Sequence, residues 1–240
     1  MNKDSLKGKT VLVVGGSSGI GLGIALVCSN KGARVVIASR SVEKMKKAQE
    51  KLQTGSAVEP VDILSTSSVE SLFERVGKVN HIVVSSGSVT RAEFENLSED
   101  EAKSDFELNV WGKYRVAKCG KSNLDENGSI LFISGAFSKR PNPKVFITSV
   151  AVATVEALTK NLAKAIAPIR VNAVCPYVID NSAVDEGSVS RRSKQMTDIA
   201  ENLPANYVGT PVDVGEAAVS IMNNRYATGS IFVMDGGYTL

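Results

Sequence analysis

The spacing with the clearest chemical use is a glycine turn near the start of the chain. In "VLVVGGSSGIGLGIAL", Gly15, Gly19 and Gly21 stand at G-x-x-x-G-x-G spacing, enclosing Ser17, Ser18 and Ile20, between a β-branched run and a helical one. Residues without a Cβ let backbone N–H groups approach a pyrophosphate, and a helix N-terminus adds a favourable dipole. The turn therefore predicts dinucleotide binding, against the plainer reading of a tight structural turn. Other reactive spacings are few. "YRVAK" sets Tyr114 and Lys118 four apart, as a phenol–ammonium pair or as an ordinary pair on a helix surface. His81 is the only histidine and falls in an apolar β-branched run, which argues against a Ser-His-Asp triad. No His, Cys and carboxylate cluster has metal-ligand spacing. Lys139, Arg140 and Lys144 crowd the segment "SGAFSKRPNPK", suited either to an anionic substrate or to solvent.

The elements that must position the turn follow from periodicity. Short runs recur as "TVLVVGG", "RVVIASR", "HIVVSSG", "SILFISG", "IRVNAV" and "SIFVMDGG", with helical periods at about 19–31, 41–53, 66–77, 98–120, 147–166 and 212–224. Continuously apolar strands alternating with helices predict an α/β fold: one doubly wound parallel sheet covered on both faces. The last helix opens on Thr210 and Pro211, an N-cap followed by Pro at the first helical position. Residues 180–206 are polar and weakly periodic, and are expected to form a mobile substrate loop or a surface excursion.

Bulk composition fits this single domain of 240 residues, with 43% hydrophobic residues available for a core. The formal charge of +3 comes from 28 basic and 25 acidic residues without long like-charge blocks, so no nucleic-acid or membrane-surface partner is expected. Cys28, Cys119 and Cys175 are scattered and read as free thiols of a reducing compartment. No signal-peptide core is evident near residue 1, and no apolar stretch is judged to approach the roughly 18 residues of a bilayer span. A cytoplasmic protein is expected.

Taken in order, the glycine turn, "IASRS", "VDI" at Val61 to Ile63, "HIVVSSG", "NVWGKYRVAK", "GSILFISG", "APIRVNAVCP" and "ATGSIFVMDGG" resemble the successive landmarks of the short-chain dehydrogenase/reductase family. The resemblance spans essentially the whole chain. It implies a nicotinamide cofactor, and the end of the second strand bears on which one. Ser39 stands where NAD-specific members carry an acidic residue, followed by Arg40 and Ser41. An Arg forks onto a phosphate that an Asp would repel, so NADP(H) is expected, unless Arg40 is only a solvated loop charge. By the same resemblance Asp62 and Ile63 border the adenine, Ser86 and Gly87 offer backbone to a ribose, and Pro176 and Val178 lie beside the nicotinamide.

Catalysis in the family rests on a helix Asn, a strand-end Ser and a Tyr-x-x-x-Lys pair. Asn109 matches the Asn. Gly135 holds the Ser position with Ser134 beside it, while Thr148 and Val152 occupy the Tyr and Lys positions. Tyr177 follows Pro176 where the family usually has Gly, as a pocket wall or as a substitute phenol. "SG" and "KRPNP" are similar to segments of divergent members of the malbrancheamide imine reductase/cyclase type. The resemblance thus implies an NADP(H)-dependent oxidoreductase, homodimeric or homotetrameric, acting on an already electrophilic small molecule. A non-catalytic cofactor- or partner-binding protein, or a cyclase or isomerase reusing the pocket, is the alternative.

Overall fold

A computed structural model describes residues 5–184 and 189–240. Its described strands are β1 (Thr10–Val14), β2 (Arg34–Ser39), β3 (Ala57–Pro60), β4 (Val79–Val84), β5 (Leu124–Ile133), β6 (Arg170–Pro176) and β7 (Ile231–Met234). They form one all-parallel sheet in the order β3-β2-β1-β4-β5-β6-β7. The helices are α1 (Gly19–Asn30), α2 (Val42–Gln49), α3 (Thr66–Val76), α4 (Glu99–Phe106), α5 (Gly112–Gly120), α6 (Phe146–Ala165), α7 (Val189–Glu201) and α8 (Pro211–Asn223). The expected doubly wound architecture is the one observed.

The order in which successive strands are added reverses between β1 and β4, both parallel, where Val13 pairs with both Ile37 and Val83. In such sheets the crevice beyond the strand ends at this switch point is the place for a ligand. Alternation along β1 builds both faces: Val11 and Val13 enter a core with α1 and α8, and Leu12 and Val14 enter one with α3, α5 and α6. Arg170 closes the far end, donating to the carbonyls of Ile221, Met222, Asn224 and Ala227 at the C-terminus of α8.

Three expectations change. "AVEP" forms the edge strand β3, a four-residue piece ending in proline, too short to carry a visible alternation. The segment 180–206 is not one loop, because α7 runs through Val189–Glu201; residues 185–188 lie outside the described residues. Among the α7 side chains described, Met196, Ile199 and Ala200 are half-buried, an i, i+3, i+4 stripe easily lost among polar neighbours. The run Pro143–Ala165 is also long and apolar enough by composition to cross a membrane, contrary to expectation. It flanks the core, with Ala151, Val155 and Thr159 fully buried and Glu156 buried among polar partners.

Helices α1 and α8 touch through glycines. A Cβ on Gly23 would stand 2.4 Å from Pro211 O, and one on Gly215 would stand 2.9 Å from Gly23 O. Backbone cannot retreat as a flexible side chain does, so Gly23→Ala is expected to lower unfolding stability by about 1–3 kcal/mol or more, read from urea midpoints. An unchanged midpoint would show that the helices separate freely.

Candidate active site

The glycine turn takes the form that the spacing predicts. Gly15 has φ +85° and Gly19 φ +50°, conformations that side-chain-bearing residues rarely adopt. A Cβ on Gly15 would also lie 2.6 Å from the backbone N of Ser86, and one on Gly21 2.1 Å from Gly15 O. Ser18 occupies the N-cap of α1 in extended conformation, yet its side chain caps nothing and the first turn carries no acidic residue. The N-terminal N–H groups of α1 therefore retain their capacity to bind an anion.

A cleft of about 510 Å³ opens beside this turn. Its wall contains Gly15, Ser17, Ser18, Gly19 and Ile20, then Ser39, Arg40 and Ser41, then Asp62 and Ile63, then Ser86 and Gly87. Twelve of the residues expected around the cofactor thus share one wall. Gly21 packs beneath the turn, Pro176 pairs in register with Met234, and Val178 lines an adjoining cavity of about 280 Å³. Lys44 and Asn181 line the cleft although sequence reasoning did not single them out. Lys44 is one turn into α2, a helix position legible in retrospect from Arg40. Asn181 reaches the turn only because the chain folds back after β6.

The cleft also fits a dinucleotide in its unsatisfied groups. Ser39 Oγ and Asn181 Oδ1 are shielded atoms with no hydrogen-bond partner, and both residues line it. Buried polar atoms are nearly always paired, so orphans on one cavity wall mark where ligand atoms belong. Ser41 Oγ accepts from Lys44 N as the α2 cap, and its proton remains free to donate.

At Thr148, where the resemblance leads one to expect the proton donor's position, the hydroxyl is tied into the protein. Thr148 is 3% exposed; its Oγ1 donates to Asp105 Oδ2 at 2.7 Å and accepts from Thr90 N at 2.9 Å. Asn109 sits in a π-helical bend, Glu107–Trp111, between α4 and α5. Its Nδ2 donates to Asp105 Oδ1 at 2.9 Å and Ser88 O at 3.0 Å, and its Oδ1 accepts from Ser88 N at 3.2 Å. Ser134 donates to Val152 O at 2.9 Å. All three side chains are committed to protein partners. Asp105, which no spacing flagged, joins two of them.

Lys113 was likewise not anticipated. It is 2% exposed and donates from Nζ to Ser86 O at 2.8 Å. Burial pushes its ammonium down to about 8, with the Asp105 carboxylate acting in the opposite sense.

Of the remaining candidates, Tyr114 lies on the surface edge to face with Trp111, and Lys118 is exposed, which fits the surface-pair reading. His81 is buried, shares a 2.8 Å hydrogen bond with Ser129 and is pushed down to about 4, first by burial and then by Arg170 and Lys9. It is a neutral structural residue at ordinary pH. Tyr177 stacks on Tyr238 at 3.8 Å, with Phe137 edge-on to both. Burial raises its phenol, with Tyr238 adding to the rise and Arg140 opposing it, so Tyr177 is a poor acid at neutral pH. Lys139 is paired with buried Glu156 at 2.5 Å, and Arg140 donates to Tyr238 O at 2.7 Å, so neither is a purely solvated charge. Cys28, Cys119 and Cys175 are free thiols, and burial pushes Cys28 and Cys175 up to about 12. Among the described residues no cluster could hold a metal ion.

A switch-point cleft, a glycine turn and an Asn-bearing helix bend lead to a comparison with known proteins. Residues 14–239 match a family described as enoyl-(acyl carrier protein) reductase. The chain is 31% identical over 258 residues to short-chain dehydrogenase/reductase ATR9 of Stachybotrys chlorohalonatus, covering 97% of this chain and 98% of that one. The chain belongs to the short-chain dehydrogenase/reductase family. Among solved structures, the MalC reductase/Diels-Alderase of Malbranchea aurantiaca superposes with a TM-score of 0.89 at 22% identity, covering 99% and 98% of the two chains. A small-chain dehydrogenase in complex with NADPH aligns at 28% identity with a TM-score of 0.80, covering 95% and 97%. As a short-chain dehydrogenase/reductase the chain is an oxidoreductase of a family that binds nicotinamide cofactors.

Replacing Thr148 by the near-isosteric Val leaves a buried Asp105 oxygen and the Thr90 N–H without partners. Thr148→Val is expected to cost about 2–3 kcal/mol of unfolding free energy, measured by urea titration. A loss below about 0.5 kcal/mol would show that water replaces the hydroxyl at no cost.

Proposed function

We propose that this chain is an NADP(H)-dependent oxidoreductase whose substrate arrives already electrophilic, as an iminium ion, a conjugated enone or an activated carbonyl compound. The observation that carries this reading is the commitment of the Thr148 hydroxyl to Asp105 and Thr90, with aliphatic Val152 four residues on. An aliphatic hydroxyl does not ionise usefully near neutral pH, and this one has its proton engaged. A positioned general acid contributes roughly 10²- to 10⁴-fold, so a substrate that needs protonation at oxygen would react poorly here. The bound nicotinamide supplies hydride chemistry; the protein supplies binding and orientation.

In this reading the α1 N-terminus holds the diphosphate, and Ser39, Arg40, Ser41 and Lys44 hold the 2′-phosphate. Asp62 and Ile63 border the adenine, Ser86 and Gly87 the ribose, and Pro176 and Val178 the nicotinamide. Phe137, Tyr177 and Tyr238 present an aromatic wall to a planar substrate. The 28% identical NADPH complex and the reductase name of the MalC fold relative support cofactor type and reaction class. Exposed Phe94, Trp111, Phe146 and Val150 around α4 to α6 suit contact between copies, and we place the chain in the cytoplasm as a homodimer or homotetramer.

The same saturated side chains favour a second reading, in which the protein binds NADP(H) without turnover and passes that state to a partner. A cyclase or isomerase that reuses the pocket without net redox change is a third reading, which product analysis with and without cofactor separates from the first. Purified protein with NADPH and a panel of iminium, enone and carbonyl substrates separates these. Oxidation of NADPH with the first two classes and slow reaction with simple ketones is expected, and inertness toward every class would overturn the catalytic reading.

Arg40→Ala is expected to weaken NADPH binding about 10- to 100-fold while leaving NADH binding nearly unchanged, measured by nucleotide fluorescence. Equal loss for both nucleotides would remove Arg40 from 2′-phosphate recognition.

A further inference from the structure

Lys113 has no part in the proposed reaction, yet a lysine is almost never fully buried without a reason. It lies four residues beyond Asn109 and is 2% exposed. Its Nζ donates to Ser86 O at 2.8 Å and stands 3.7 Å from where a Cβ on Gly87 would be. Ser86 and Gly87 are wall of the cleft, and Ser86 presses against the glycine turn, its Oγ 2.8 Å from where a Cβ on Gly15 would be. The ammonium is therefore one peptide thickness from the ligand space. Asp105 on α4 is the carboxylate that acts on it, but both oxygens of Asp105 already accept from Thr148 and Asn109. Glu107 and Arg115, nearby on the same helical stretch, pair with each other, while Arg40, Lys44 and Asp62 line the cleft.

We propose that Lys113 is a positioning residue of the dinucleotide site, a buried cation behind the Ser86–Gly87 peptide whose protonation is coupled to occupancy of the cleft. The inference rests on the NADP(H) reading above. In the empty protein burial opposes the charge on Lys113. An anionic dinucleotide bordering the same peptide favours that charge, so the protonated form binds the nucleotide more tightly, and by reciprocity the nucleotide raises the affinity of Lys113 for its proton.

The sign follows from the group's position near 8 in the free protein. Below pH 8 Lys113 is protonated before and after binding, and affinity is at its full value. As pH rises through 8, binding must take up a proton, and affinity falls. The test is NADPH binding to the intact protein, followed by fluorescence and by calorimetry in buffers of different ionisation enthalpy between pH 7 and 9.5.

For the wild type, Kd is expected to rise roughly five- to tenfold from pH 7 to 9, with fractional proton uptake near pH 8 to 9. Lys113→Met should bind with neither the slope nor the uptake. Asp105→Asn, which removes the opposing charge, should move the onset of the slope to lower pH, a shift that a merely structural role would not produce. Should Lys113→Met fail to fold, the wild-type uptake and the Asp105→Asn shift decide. Binding of NADPH without slope or uptake would overturn the role of Lys113 and leave the cofactor reading intact. Failure to bind NADPH at any pH would overturn the cofactor reading, and this inference with it.

Discussion

Burying the Asp105 carboxylate imposes a requirement that its surroundings must meet. An ion taken from water needs donors at both oxygens, and losing one partner typically costs several kcal/mol. Here the donors come from two directions: Asn109 from the helix bend that follows α4, and Thr148 from α6. Each donor in turn holds the chain after β4, Asn109 through Ser88 and Thr148 through Thr90 N. One carboxylate thereby locks two helices to the loop that carries the rim of the cofactor cleft.

That lock gives the Thr148 hydroxyl and the Asn109 amide structural work to do. A threonine at this position is the right length to meet a buried acid. Val152 then packs 3.5 Å from the Cβ position of Gly135, and the neighbouring Ser134 hydroxyl turns into the α6 backbone. Polar capacity at Thr148, Asn109 and Ser134 is spent here on the fold. The opposite holds at the glycine turn, where α1 leaves its first N–H groups uncapped and Ser39 and Asn181 keep unpaired atoms on one wall. The contrast between this saturated corner and the unsaturated cleft at the glycine turn is the main chemical feature of the molecule.

Much of the cleft was legible because its signals are local. A strand, a glycine turn and a helix start lie within 12 residues from Thr10 to Gly21, and Ser39 to Ser41 end the adjacent strand. The expectation that Gly135, Thr148 and Val152 stand at the family's Ser, Tyr and Lys positions rests on residue type and family spacing alone. Asp105 and Lys113 carried no such signal. An Asp and a Lys on helices read as solvent-facing charges until packing shows them at 2% exposure. The edge strand β3 escaped because none of its four residues is fully buried, and helix α7 because its described half-buried residues sit among polar neighbours.

By itself the sequence determined the strand and helix alternation, the glycine turn and the family. These are matters of residue type and short spacing, and a chain displays them without folding. Only the tertiary structure decided what the substituted residues do. Asp105 lies 43 residues from Thr148 and Lys113 lies 27 from Ser86, and hydrogen-bond partners so far apart in sequence meet only when the parallel sheet brings their elements to one edge. Whether a hydroxyl is free to donate, or an ammonium easy to protonate, depends on burial and partners, and both are properties of packing alone.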